Sequence, residues 1–409
     1  MRSIFGILAF IISIIVSPCF SQSPTYSGLT YGPDGANKLD IYMPTGGTQP
    51  YPVVVWIHGG GWSSGSRTGG DETNLASMLG PKGIAIVSID YRLSGAAQWP
   101  AQIQDCKAAI RWIRANASTY HFNTNEIGCA GMSAGGHLVA FLGTSGGVGS
   151  YTVGSSTMDL EGSVGGNSSY SSKVQCVLDM YGPTDFLTMS GNCPQNNPAV
   201  STIDHNGATS PEASLLGAAI QTVPDKCALA NPITFVDAND PPFLILHGSS
   251  DALVPCCNSM LLDTALAHAY ASNHREAKMY LLSGQGHGFS VTVMRDTVIA
   301  FFTRTLRSTG IEGKESAAAA KTAVDIFVKN SRLMVCAAVA FELNVTDIGG
   351  RLVLSKHFLP TIAAEAMDLR GVGAGILICT LRADNQRGQS NGFVVCEIRK
   401  YRRYGGGKW

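Results

Sequence analysis

Three pentapeptides in this chain hold a serine between two glycines: Gly61-Trp62-Ser63-Ser64-Gly65, Gly131-Met132-Ser133-Ala134-Gly135 and Gly143-Thr144-Ser145-Gly146-Gly147. Such a pattern carries chemistry when it forms a sharp turn between a strand and a helix, because the turn lifts the hydroxyl clear of the backbone. With 47 glycines in 409 residues it also arises by chance, so the flanking sequence must choose. Only the second copy follows a compact apolar run, 127–130, and leads into a helix-like run, 136–142. Ser133 is therefore the expected nucleophile. A serine hydroxyl is unreactive until a base takes its proton, and the imidazole that does so needs a carboxylate to orient it. Asp251 follows the apolar run 243–246, and His287 stands in a glycine-rich loop after the run 277–282. His58-Gly59-Gly60-Gly61-Trp62 follows a third run, 53–57. Its glycines allow the N–H groups of Gly60 and Gly61 to turn toward a developing oxyanion, and the N–H of Ala134 joins them. The chemistry expected is acyl transfer through a covalent intermediate, with no cofactor and no metal.

Trp62, Tyr181 and Phe289 lie near strand ends and are candidate substrate-binding aromatics, although core packing explains each equally well. His137, in the helix after Ser133, is expected as a helix residue and not a second base. Asp185, in Pro183-Thr184-Asp185, is expected to cap a turn.

These groups need a scaffold. Short apolar runs at 53–57, 84–89, 127–130, 174–180, 243–246 and 277–282 alternate with helical periodicity at 101–117, 259–271 and 291–306. That alternation predicts an α/β fold with a mainly parallel, doubly wound sheet. Two segments interrupt it, 144–172 and 188–231. Insertions of this kind are expected over the carboxyl ends of the strands, where both could wall a substrate cleft; loose surface loops are the competing reading.

Charged residues make up 14 % of the chain against ~25 % in an average protein, and the formal charge is zero, with 29 basic and 29 acidic groups. A polyanion such as nucleic acid is a poor partner for such a chain. The zero is a sum of unlike parts: residues 1–310 carry 15 basic and 20 acidic groups, and residues 311–409 carry 14 and 9. An apolar run at 4–17, preceded by Arg2 and followed by small residues up to Ser21, has the form of a secretory signal peptide and is too short to span a membrane. A secreted location, periplasmic or extracellular, is expected, and with it disulfides. Cys129 and Cys176 fall in strand-like runs and are expected as buried thiols. Cys193 and Cys227 bracket a polar insertion that a crosslink would brace, and the partners of Cys256 and Cys257 stay open.

With these motifs in hand the chain resembles the esterase branch of the α/β-hydrolases, including the hormone-sensitive-lipase-like enzymes and, more closely, secreted bacterial carbohydrate esterases of the acetylxylan and feruloyl esterase kind. The likeness runs over about residues 28–308. It is carried by Leu39–Pro44, His58–Trp62, Ser88–Leu93, Trp99-Pro100, Gly131–Gly136, Tyr181–Asp185, Asp240–Gly248 and Gly286-His287-Gly288. The resemblance implies a serine carboxylesterase acting on short acyl or feruloyl esters of plant polysaccharides. A peptidase of the prolyl-oligopeptidase type shares the order Ser133, Asp251, His287 and is the second enzyme reading.

Residues 311–409 lie outside the resemblance. Strand-like runs at 324–328, 333–341, 376–381 and 393–398 flank a helical stretch near 351–370, interrupted by Pro360, which predicts a small α+β module. The end, 400–409, mixes cations with aromatics and is expected as a solvated tail; a surface-binding protein driven by this module is the reading from a different class. The expected organisation is a signal peptide 1–21, a catalytic domain 22–310 and a C-terminal module 311–409.

Overall fold

A computed structural model describes residues 22–190, 203–271 and 275–306 in full, together with the backbone of residue 307 and of seven strands between 324 and 398. The expectations for residues 1–21, Cys193 and 400–409 lie outside the described residues. The chain divides into two compact units, Met1–Ile311 and Glu312–Trp409.

The first unit is built on an eight-stranded sheet. Its strands are β1 (Tyr26–Thr30), β2 (Lys38–Tyr42), β3 (Tyr51–Ile57), β4 (Ala85–Ile89), β5 (Phe122–Met132), β8 (Cys176–Met180), β9 (Phe243–Gly248) and β10 (Ala277–Leu282). A separate hairpin, β6 (Ser150–Val153) and β7 (Ser156–Asp159), stands outside it. The sheet order is β1-β2-β4-β3-β5-β8-β9-β10; β1, β2 and β4 pair antiparallel, and from β4 to β10 every pair is parallel. The apolar runs all become strands of this sheet, five of them central and the last, β10, at its edge. β3, β4, β8 and β9 are buried nearly end to end, as strands covered on both faces must be. β1 and β2 are additions that no apolar run announced, because both lie toward the sheet edge and carry polar residues such as Ser27 and Lys38.

The helices are α1 (Asp71–Leu79), α2 (Ala101–Ala115), α3 (Ala117–Tyr120), α4 (Ala134–Thr144), α5 (Pro211–Leu216), α6 (Pro224–Ala230), α7 (Cys257–Ala269) and α8 (Arg295–Arg307). Every residue of α4 is buried, in keeping with its apolar sequence; a helix apolar all round belongs inside. α2 buries Ile103, Cys106, Ile110 and Ile113 on one stripe, and its buried Asp105, Lys107 and Arg111 each have an ionic partner.

The two insertions emerge at opposite edges. Segment 144–172 leaves the C-terminal end of α4, which has already run the depth of the sheet away from the carboxyl edge. It folds as the β6–β7 hairpin and a loop tied down by Lys107 to the Ser145 carbonyl (3.0 Å) and Arg111 to Glu161 (2.5 Å). It contributes nothing to the wall of the cavity described below, which corrects the expectation for that segment. Segment 188–231 follows a strand, β8, and so begins at the carboxyl edge.

Among the described residues of the second unit there are strands only: β11 (Val324–Lys329), β12 (Arg332–Ala337), β13 (Phe341–Asp347), β14 (Leu352–Phe358), β15 (Thr361–Asp368), β16 (Gly375–Ala383) and β17 (Asn391–Ile398). They form a three-stranded and a four-stranded antiparallel sheet. The helix expected near 351–370 is thus two strands. Pro360, which cannot continue a helix, separates them in sequence.

Candidate active site

The loop after β3 needs its glycines. Gly60 has φ 110° and Gly61 φ 57°, and a Cβ on Gly60 would stand 2.3 Å from the Ser64 carbonyl oxygen. His58 is buried, stacks on Tyr91 with ring centroids 4.4 Å apart, and lies with Nδ1 2.8 Å from the Gly59 carbonyl oxygen. Arg67 anchors the far end of the loop: its guanidinium bonds Asp40 (2.9 Å) and Asp90 (2.5 Å), and its N–H donates to Asp90 (2.6 Å). The glycine loop is therefore held at one end by β3 and at the other by Asp40 of β2 and by Asp90, the residue after β4.

Ser133 stands between β5 and α4 at φ 54°, ψ −121°, a conformation that costs a residue with a Cβ about 1–3 kcal/mol. Its neighbours permit it by lacking side chains. A Cβ on Gly131 would come within 2.4 Å of the Gly135 carbonyl oxygen, and one on Gly135 within 2.0 Å of that of Ile57. The Ser133 N–H donates to the Met180 carbonyl (2.9 Å), which locks the turn to β8. Ala134, the first residue of α4, lies at the helix end where backbone N–H groups have no intrahelical partner. The two other serines of the repeated pattern go elsewhere. Ser145 donates to the Phe141 carbonyl (2.6 Å) in the interior, and Ser63 is exposed with Oγ 3.4 Å from the Gly60 carbonyl.

Loops after β9 and β10 deliver Asp251 and His287. Ser133 Oγ lies 2.9 Å from His287 Nε2, and His287 Nδ1 lies 2.8 Å from Asp251 Oδ2. With Nδ1–H donating to the carboxylate, Nε2 is left as the acceptor for the serine proton. Asp251 Oδ1 accepts from the N–H groups of Leu253 and Val254 (2.9 Å each). Burial alone would push the Asp251 carboxyl up, but hydrogen bonds from His247 and His287 outweigh it and hold the group well below the usual carboxylate range. His247 is a contributor that sequence spacing did not single out. It is fully buried, with Nε2 3.3 Å from Asp251 Oδ2 and 2.9 Å from the Val254 carbonyl, and Nδ1 2.7 Å from Ser259 Oγ.

Ser133, His287, Gly60, Gly61 and Ala134 line one cavity of about 470 Å³. Trp62 and Tyr181 are in its wall as well. Trp62 is nonetheless a buried residue, with Nε1 donating to His137 Nδ1 (3.2 Å) while His137 Nε2–H donates to the Ala230 carbonyl (2.7 Å). His137 thus sits inside α4 as a neutral strut, its basicity pushed down to about 4 by burial. Tyr181, at φ 45°, meets the His287 ring edge-on at 4.7 Å and donates its O–H to the Phe289 carbonyl (3.0 Å), bracing the loop that carries His287. Phe289 does not reach the cavity. It packs behind Tyr181 at 4.7 Å in the apolar cluster on that face of the sheet, because the turn after His287 sends its ring inward. Asp185 caps the short turn Phe186–Thr188 by accepting from the Leu187 N–H (3.3 Å) and is also held by Asn231 (2.9 Å).

The second insertion supplies wall residues that spacing did not reveal: Ile203, His205, Pro211 and Glu212. They lie far from Ser133 in sequence and within no motif. Cys257 forms a disulfide whose other half lies outside the described residues. Cys106, Cys129, Cys176, Cys227 and Cys256 are free and buried, so the brace expected at Cys227 is absent; its thiol contacts the Ile220 carbonyl instead, at 3.4 Å.

The chain is similar to known proteins over its first two thirds. The sequence model of the BD-FAE family matches residues 39–266, more than half of the chain. Esterase LipC of Mycobacterium tuberculosis is 33 % identical over 265 residues, which are 64 % of this chain and 59 % of LipC. Among solved structures, a truncated carbohydrate esterase from gut microbiota is 36 % identical with a TM-score of 0.61, covering 70 % of this chain and 97 % of that one. A bifunctional GH43-CE protein of Bacteroides eggerthii is 40 % identical with a TM-score of 0.60, covering 68 % of this chain and 38 % of that one. The chain spans about half the length of the curated relatives it matches, 59 % of LipC and 48 % of LipM.

Proposed function

The chain belongs to the BD-FAE family, within the α/β-hydrolase esterases, and on that premise we propose that it is a carboxylic-ester hydrolase whose substrates are short acyl or feruloyl esters of polysaccharides. The observation that carries the reading is the continuous path Ser133 Oγ, His287, Asp251, with steps of 2.9 and 2.8 Å, opening on a cavity floored by the Gly60-Gly61 loop. Ser133 attacks the ester carbonyl as its proton passes to His287 Nε2. The N–H groups of Gly60, Gly61 and Ala134 take the charge on the carbonyl oxygen, each donor of this kind contributing about 3–4 kcal/mol to the transition state. Collapse expels the alcohol, which collects the proton from His287, and water activated by the same imidazole then releases the acid. Asp251 fixes the tautomer and stabilises the imidazolium. The polysaccharide part of the reading is supported by the likeness at 36 % identity to a carbohydrate esterase.

Ser133→Ala is expected to lower the kcat for p-nitrophenyl acetate by at least ~1,000-fold, while Ser63→Ala and Ser145→Ala keep the serine-dependent rate. Steady-state hydrolysis of the three purified variants checks this; loss confined to Ser145→Ala would overturn the assignment.

A further inference from the structure

Glu212 is the unexplained group in the cavity wall. It is the second residue of α5, whose first residue, Pro211, lies 3.5 Å from where a Gly61 Cβ would stand, so the helix abuts the oxyanion loop. The Glu212 side chain is 3 % exposed. Its Oε1 is 3.0 Å from Nδ1 of the equally buried His205, and its Oε2 has no hydrogen-bond partner among the described residues. His205 Nε2 donates to the Leu253 carbonyl (3.0 Å), within the turn that binds Asp251. Burial would make His205 less basic, but the Glu212 carboxylate outweighs this and raises its pKa.

A buried carboxylate oxygen without a partner is a standing cost, offset when something that donates a hydrogen bond enters the site. An acetyl group has no donor to offer. For a short-acyl ester the donor then belongs to the alcohol half, and an alcohol still carrying an O–H after esterification is a polyol; the phenol of a feruloyl group is the competing donor.

We propose that Glu212 accepts a hydrogen bond from a free hydroxyl of the alcohol moiety and thereby selects sugar esters over esters of simple alcohols. The inference rests on the ester-hydrolase reading above and names the group that recognises the alcohol. His205 is the positioning residue: it holds one carboxylate oxygen and leaves the other for the substrate.

The test compares wild type and Glu212→Gln on a mono-acetylated methyl xylopyranoside, cyclohexyl acetate, p-nitrophenyl acetate and methyl ferulate. In the variant the amide oxygen takes the place of Oε1 beside His205 Nδ1, so the NH2 group, a donor, meets the substrate hydroxyl. The ratio of kcat/KM for the sugar ester to that for cyclohexyl acetate is expected to fall roughly 10- to 100-fold, the scale of a lost charged hydrogen bond. An equal fall on all four esters would mean that Glu212 only holds α5, and would overturn the proposal. A fall confined to methyl ferulate would move the donor to the acyl phenol and overturn it too. Wild type provides an arm that needs no variant: equal kcat/KM on the sugar ester and cyclohexyl acetate sinks the proposal while leaving ester hydrolysis intact. Failure of wild type to cleave any of the esters would remove the ester-hydrolase reading itself.

Discussion

Ser133 and His287 are 154 residues apart in the chain and 2.9 Å apart in space, and Asp251 is 36 residues before the histidine it binds. Their residue types and order were visible in sequence because each sits in a short stretch with its own local logic, a serine between small residues or a histidine among glycines. His247, His205 and Glu212 had no such local logic; their places follow from what packs against them. His137 makes the same point in reverse. It lies four residues from Ser133, yet it spends both ring nitrogens on Trp62 and the Ala230 carbonyl. Its folded pKa of about 4 lies below the ordinary value near 6.5, so in that window the unfolded chain binds more protons and stability rises with pH. Between pH 7.5 and pH 4.5 this group should cost the fold about 2–3 kcal/mol. Urea unfolding of wild type and His137→Gln at both values is expected to show that much of the pH dependence disappearing in the variant.

At the level of elements, the site is a property of the carboxyl edge of the sheet. β3, β5, β9 and β10 each end in a loop that delivers one component, and β8 is followed directly by Tyr181, which braces another. Close approach between the β3 loop and the β5 turn demands glycine at Gly135, where an added Cβ would meet the backbone oxygens of Ile57 at 2.0 Å and His58 at 2.6 Å. Backbone cannot swing aside as a side chain can. Gly135→Ala is therefore expected to lose about 2 kcal/mol or more of stability, whereas Gly146→Ala, whose Cβ meets the Lys173 side chain at 3.4 Å and the Gly143 carbonyl oxygen at 3.7 Å, both ordinary contacts, changes it by less than about 0.5 kcal/mol. Denaturant midpoints of the two variants separate these outcomes. The two insertions differ for an elementary reason as well. One follows a helix and emerges away from the site, the other follows a strand and enters it, and composition alone treated them alike.

On the scale of the molecule, every group assigned a part in the chemistry lies between His58 and His287, within the unit Met1–Ile311. Removal of residues 312–409 is expected to leave kcat/KM for p-nitrophenyl acetate within about twofold of the full chain, measured on the purified truncated protein; a loss of tenfold or more would assign the second unit a role in the reaction. Sequence was sufficient for the α/β architecture, for singling out Ser133, Asp251 and His287, which the fold brings together, and for the glycine loop, because strands buried on both faces and tight turns impose strict local composition. It was insufficient for the wall of the cavity, for the inward turn of Phe289, for the free thiol of Cys227 and for the strands at 352–368. Those depend on which surfaces meet after the chain has closed on itself, and contacts between distant segments leave no periodicity for a linear pattern to record.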